Sequence, residues 1–324
     1  MHSTGVTKPR RRIMCVGMCV LDIIHVVQEY PIEDTDKRCL SGYWQRGGNA
    51  SNNCTVLQQL GATAVEFLGM LSASPAFGFL YEDCKKRNIH IENCPSTDMD
   101  PPFSSVILNK ATGSRTIIHS NPGFPPLEYT HLSRIDLSIY GWIHFEGRNN
   151  ESVLKLIRDI RAHNKQLKNP DDRIRISVDL EKMKEELLEL GEAADFIFLG
   201  KDFAEHMGWQ QPDVAAMSLY NKLKPQQEYT KPAIICPWGA VGASCVDSEG
   251  NYTFVPSTPV SEIVDSLGAG DTFCAGVIFA LYELELSVPE AVLLDMALQA
   301  TSWLIVVMTI LKILSMKRKF CERH

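Results

Sequence analysis

Val264-Asp265-Ser266-Leu267-Gly268-Ala269-Gly270-Asp271-Thr272-Phe273 runs directly into the apolar segment Cys274 to Tyr282. It reads as a glycine turn feeding a helix. Gly268 and Gly270 around the single Ala269 leave consecutive backbone N–H groups free of side-chain cover, and a helix starting there aims its unpaired amides and positive dipole end at the turn. Such a turn is an anion site. A carboxylate at Asp271 would repel a bound phosphate, so it suits a proton acceptor for an incoming hydroxyl better than a phosphate contact. Turn and acid together suggest phosphoryl transfer to an alcohol. The competing reading is an aspartate that caps its own helix, and these residues alone leave both open.

Working outward, a chain of 324 residues has room for a full core. Its apolar fraction of 45%, charged fraction of 22% and net charge of -7 are those of a globular protein, and the negative charge argues against nucleic acid or an anionic membrane as partner. A small molecule fits better. The 10 cysteines include no Cys-x-x-Cys pair and no familiar metal-ligand spacing, so they read as reduced thiols of a cytoplasmic protein. Arg10-Arg11-Arg12 followed by Ile13 to Leu21 imitates the start of a signal peptide, but Asp22 cuts the apolar run short and no small-residue cleavage site follows. Ile13 to Gly17 is instead expected to be a buried first parallel strand behind a disordered tail of residues 1 to 12. The sequons at Asn49, Asn53 and Asn251 then carry no glycan meaning.

From Ile174 to Cys236 apolar strand-like runs alternate with helical segments, including Lys182 to Leu190, which predicts parallel strands with crossover helices and an α/β fold. Asp22 is expected at the end of the first strand, where open parallel sheets bind ligands, and is a candidate sugar or metal contact. Ile24 to Glu29 and Cys39 to Gln45 look like antiparallel strands, and Phe103 to Leu108 with Arg115 to His119 like a hairpin. A further helix is expected from Ser74-Pro75 to Arg87.

Arg46-Gly47-Gly48-Asn49-Ala50-Ser51-Asn52-Asn53 opens a helix that stops at Gly61. One cap residue would suffice, so two glycines and several asparagines are surplus to capping. Asn49 and Asn52 share a helix face, and their amides donate and accept as vicinal hydroxyls require; Gly48 would let a sugar approach the backbone. Arg115 at a strand start reads as a solvated edge charge, and His144 as a core histidine. Gly239 and Gly242 in Pro237 to Ala243 serve either a tight loop or a nucleotide lying against the backbone. No Gly-x-x-x-x-Gly-Lys-Ser/Thr, His-Arg-Asp or Asp-Phe-Gly motif occurs, so neither P-loop nor protein-kinase machinery is present.

With Gly47 to Asn52 near the front and Asp265 to Phe273 near the back, the chain resembles the ribokinase-like (PfkB carbohydrate kinase) family over about Ile13 to Ala291. Trp44 to Asn52, Gly113 to Ile117 and His144 to Asn149 are most similar to its ketohexokinase branch. The resemblance implies a doubly wound, mostly parallel sheet flanked by helices, with a small β-sheet lid (β-clasp) at about residues 23 to 46 and 101 to 120 that pairs in a homodimer. It implies ATP-dependent phosphorylation of D-fructose at the 1-hydroxyl to fructose 1-phosphate, with a related sugar or nucleoside kinase, or a catalytically impaired dimer partner, as alternatives. On that likeness Asp22, Gly48, Asn49 and Asn52 would bind fructose and Asp271 would deprotonate it. Gly268, Ala269 and Gly270 would stabilise the transferring phosphoryl. Arg115 would meet phosphate, Gly239, Ala240, Val241, Gly242 and Ala243 would flank ATP, and Asp34 would reach the partner's site. Mg2+ would accompany ATP, with K+ a further candidate cation.

Two departures stand against the family pattern. Gly200-Lys201-Asp202-Phe203 replaces the Asn-x-x-Glu that helps organise Mg2+ in many relatives, so the metal ligands stay unassigned. After Ala291 the expected Gly-Phe-Asp-Gly ending gives way to an apolar and then basic segment, 301 to 324. Its apolar stretch is only just long enough to span a bilayer and contains Lys312, so a membrane span is not favoured. It reads as an alternative terminal exon attached to a kinase domain of residues 13 to 300, and is expected to weaken ATP binding.

Overall fold

The computed structural model describes residues 10–224, 230–257 and 268–300, the last with side chains to Leu298. The tail at 1–9, the Val264 to Leu267 part of the glycine turn and the 301–324 segment lie outside the described residues. The chain enters on β1 (Arg12–Val16), leaves it for β2 (Val20–Val27) and β3 (Ser41–Gly47), and returns through α1 (Asn49–Gln59) to β4 (Val65–Leu68). The short β5 (Leu71–Ser72), α2 (Phe79–Lys86), β6 (Ile89–His90) and β7 (Ser96–Thr97) precede the hairpin of β8 (Phe103–Asn109) and β9 (Arg115–Ser120). After α3 (Tyr129–Leu132) the strands β10 (Tyr140–Phe145), β11 (Arg175–Leu180) and β12 (Phe196–Leu199) are separated by α4 (Asn150–Gln166) and α5 (Leu188–Glu192). Then follow α6 (Lys201–His206), α7 (Pro212–Lys222), β13 (Ala233–Pro237), β14 (Gly242–Val246), β15 (Tyr252–Pro256), α8 (Ala269–Tyr282) and α9 (Val288–Ala300).

Nine strands form one sheet in the order β15-β14-β13-β12-β11-β10-β1-β4-β6. Its central strands read almost continuously apolar because helices cover both faces. One core, with Phe67, Val277 and Ala291, packs α1, α8 and α9 against one face; the other, with Ile143, Ile157 and Leu219, packs α4 to α7 against the opposite face. The sheet is thus doubly wound, as the alternation of segments implies. It is not parallel throughout: β13–β14 and β14–β15 pair antiparallel, since their short connections leave no room for a crossover helix.

A second sheet, β3-β2-β8-β9, forms the lid. Here the structure corrects one expectation. Asp22 does not end the first strand but stands third in β2, because the chain breaks at Gly17 to Cys19 between two strands whose apolar residues read as a single run. Two expected helices are also shorter. Pro75–Phe77 and Glu185–Leu187 are 3-10 turns, and the α-helices start only at Phe79 and Leu188.

Candidate active site

Gly47 and Gly48 are demanded by crowding. A Cβ on Gly47 would lie 2.0 Å from Asp22 Oδ2, and one on Gly48, whose φ is 96°, would lie 2.2 Å from the Met18 carbonyl oxygen. Gly48 begins α1 with no side chain capping it, so the asparagine amides are free for other partners. Asn49 Nδ2 donates to Glu181 Oε2, and Asn52 Nδ2 donates to Asp271 Oδ2 at 2.8 Å. Arg46, buried at the foot of the lid, donates to Asp83 at 2.8 Å, the Ser51 carbonyl at 2.9 Å and Thr55 Oγ1 at 2.6 Å. It ties β3 to α1 and α2.

Asp271 is the third residue of α8, which starts from Gly268 in the left-handed region at φ 75°. Its carboxylate accepts from α1 across the site. Burial pushes its pKa from 3.8 up to about 7; the nearby charges of Asp179, Glu146 and Glu181 add to the rise, and the bond from Asn52 opposes it. A carboxyl poised near neutrality is suited to taking a proton.

A cavity of about 350 Å³ lies between lid and frame. The lid contributes Asp22, Ser104 and His119, which stand in one row across the strand pairings, with Gln45 beside Asp22 at the end of the row. Ser104 Oγ lies 3.2 Å from His119 Nδ1. Burial raises the Asp22 pKa, opposed by hydrogen bonds from Gln45 and Ser104, while burial and the charges of Arg148 and Lys182 lower that of His119. The frame contributes Gly48, Asn49, Asn52, Gly268, Gly270 and Asp271. So a carboxyl near its titration point, bare helix-start amides and a polar lid converge on one space.

Residues 10–298 match the family described as pfkB family carbohydrate kinase. The chain belongs to that family. It is 40% identical over 272 residues to the ketohexokinase of Mus musculus, a match covering 84% of this chain and 89% of the relative. Its fold is that of the Arabidopsis thaliana ribokinase solved with ribose and ATP, at TM-score 0.70 and 17% identity over 90% of this chain and 92% of that one. It is also that of a Methanocaldococcus jannaschii nucleoside kinase, at TM-score 0.65 and 19% identity over 94% and 99%. For a member of this family, phosphorylation of a sugar is the chemistry supported.

Within the family frame the expected residues are not all brought together. Arg115 lines the cavity from the first position of β9. Ala269 lies between the two lining glycines without itself lining the wall. Gly239 to Val241 form a 3-10 turn leading into β14, and among the described residues that line the cavity the nearest to them in the chain is Pro237. A Cβ on Gly242, at φ 135°, would lie 2.3 Å from the Val255 carbonyl oxygen, so strand packing requires a glycine there. Asp34 is exposed in the β2–β3 loop, off the cavity wall. Gly200 lines the cavity, and Lys201 Nζ stands 5.4 Å from the Trp238 ring centre.

Sequence reading missed three acids. Glu146, buried just after β10, accepts from the Met18 N–H at 2.9 Å, the Ala50 N–H at 3.2 Å and Arg148 Nε at 2.8 Å. Asp179 and Glu181, at the end of β11, line the cavity. The signal was available: each lies at the carboxyl end of a buried parallel strand.

Proposed function

We propose that this chain transfers a phosphoryl group from ATP to the 1-hydroxyl of D-fructose, giving fructose 1-phosphate and ADP. The observation that carries the reading is Asp271, a carboxyl raised to about 7 beside the bare amides of the α8 start and across a cavity from the polar row of the lid. The likeness to a ketohexokinase supports fructose over other sugars. Asp22, Gly48, Asn49 and Asn52 bond the sugar hydroxyls. Asp271 takes the proton as the hydroxyl oxygen forms its bond to the γ-phosphorus and the bond to ADP breaks. The N–H groups of Gly268, Ala269 and Gly270 receive charge on the phosphoryl oxygens, and Arg115 pairs with phosphate. Gly239 to Ala243 form the nucleotide side.

Asp179 and Glu181 supply hard carboxylate oxygens beside the phosphate position, the donor type Mg2+ takes when one or two protein carboxylates share it with substrate phosphates. These residues would hold it, and it would neutralise charge on the phosphates. K+ is an additional cation of the reading.

The outer lid face carries the row Trp44, Ile23, Ser105 and Ile118, of which Trp44 and Ile118 are 58% and 59% exposed. Such a face suits pairing with a second lid, and Asp34 stands in the loop that would then approach the partner's cavity. The nine described cysteines are free thiols, in keeping with the cytoplasm, and no helix among the described residues is long and apolar enough to cross a membrane.

A substrate panel tests the function: ADP release with fructose, ribose and adenosine, and NMR assignment of the phosphorylated oxygen. Fructose ahead with phosphate on O1 is expected. Ribose or adenosine far ahead would replace the reading with a related kinase. Fructose binding without ADP release from any substrate would leave the impaired dimer partner, a reading favoured only by the changed sequence after Ala291.

A further inference from the structure

Behind Asp271 three side chains from distant parts of the chain meet: His144 on β10, Asp179 on β11 and Cys274 on α8. His144 Nε2 lies 3.6 Å from Cys274 Sγ and 3.5 Å from Asp179 Oδ2, and Cys274 Sγ lies 4.0 Å from Asp179 Oδ1. Tetrahedral zinc, with bonds of roughly 2.0 to 2.3 Å to nitrogen, oxygen and sulfur, sets its ligand atoms roughly 3.4 to 3.6 Å apart. The sulfur–nitrogen edge already has that length; Asp179 offers Oδ2 at that distance from the histidine and Oδ1 at a slightly longer one from the sulfur, and a turn of the carboxylate brings a single oxygen toward both. The histidine is oriented from behind, with Nδ1 2.9 Å from Ser177 Oγ, which also accepts from Trp142 Nε1 at 2.8 Å. A hydroxyl oxygen has two lone pairs, so Ser177 can accept from both rings and leave Nε2 bare toward the thiol, the outer-shell support that metal-bound histidines have.

We propose that His144, Asp179 and Cys274 form a three-ligand site for Zn2+ in the floor of the cavity, with a fourth position open toward the substrate space. Asp179 and Cys274 line the cavity, which gives the ion an entry path, while His144 is fully buried behind them. Sulfur and imidazole select zinc over Mg2+, which takes oxygen ligands. On binding, the Cys274 thiol gives its proton to solvent and the thiolate bonds the metal. Cys274 lies one helical turn beyond Asp271, so the bound ion places positive charge beside the proton acceptor and draws Asp179 away from the cavity. Occupation therefore inhibits phosphoryl transfer. The site does not depend on which sugar is the substrate.

Binding is read without nucleotide or turnover, so that zinc replacing magnesium on ATP plays no part. Titrating the full chain with Co2+ is expected to give about one equivalent of a tetrahedral centre with a thiolate-to-cobalt charge-transfer band, displaced by Zn2+. Cys274→Ser is expected to abolish the band and weaken Zn2+ binding at least about a hundredfold, more than the usual effect of disturbing only an outer-shell partner. X-ray absorption at the zinc edge of the unsubstituted protein serves where the variant fails to fold, and should show sulfur together with imidazole. A shell of nitrogen and oxygen alone, no charge-transfer band, or a band undiminished in Cys274→Ser overturns the proposal.

Discussion

Replacing Asp271 by asparagine should make the protein a worse catalyst and a more stable fold. In the folded chain this carboxyl loses its proton near pH 7, against 3.8 ordinarily, chiefly because it is buried. An unfolded chain therefore deprotonates first as pH rises. Between about pH 4 and 7 Asp271 costs the fold progressively more, and above pH 7 the full cost is present. At about 1.4 kcal/mol per pH unit the ceiling is about 4 kcal/mol. Asp271 borders a cavity that water can enter, which reduces the expected cost to on the order of 1 to 2 kcal/mol. Asparagine keeps the shape and removes the charge, so denaturant unfolding of Asp271→Asn at pH 8 should show that gain, shrinking as pH falls toward 4. Steady-state kinetics should show turnover lower by about 10² to 10⁴ with fructose affinity nearly unchanged, and the unsubstituted enzyme should lose kcat/KM below about pH 7. A variant that keeps more than about half its activity, or unfolds more easily than the parent at pH 8, would show that the carboxylate supports its helix instead of accepting a proton.

Asn52→Ala removes the bond to Asp271 and a proposed sugar contact; fructose KM should rise by the equivalent of about 1 to 3 kcal/mol, and the acid limb of the pH profile should move upward because that bond holds the Asp271 pKa down. Unchanged values of both would remove Asn52 from the site. Gly47→Ala places a Cβ where Asp22 Oδ2 stands, so fructose binding should be lost while circular dichroism keeps its helix signal; normal binding would mean Asp22 does not hold the sugar. Arg115→Lys should raise the ATP KM without altering thermal stability, since lysine cannot reproduce the guanidinium fork. An ATP dependence identical to the parent's would return Arg115 to a solvated edge charge.

What could be read in advance was local. Gly268 to Asp271 and Gly47 to Asn52 place glycine, amide and acid within one turn of a helix start, where sequence distance equals spatial distance. The alternation from Ile174 onward showed the crossover sheet for the same reason. In sequence Asp22 reads as the end of β1 because Val20-Leu21 continues its apolar run, and the break at Gly17 answers to a distant partner: a Cβ there would stand 2.2 Å from Glu146 Oε2. The acids that add to the rise in the Asp271 pKa and the trio around His144 are invisible for a related reason. Their neighbours are chosen by strand order, and strand order is not written in any short stretch.

The lid and the frame hold different parts of the site. Asp22, Ser104 and His119 ride on strands of the small sheet, whereas Asp271 stands on a helix packed against the large one. Inheritance can therefore act on them separately. On the proposed function, substitutions along the lid rows would retune which polyol is accepted while Asp271 and the amides beside it stay in place, so a lineage could drift between substrates without passing through an inactive ancestor. A laboratory selection for a new sugar would do well to randomise the positions flanking Ser104 and His119 and leave the α8 start alone.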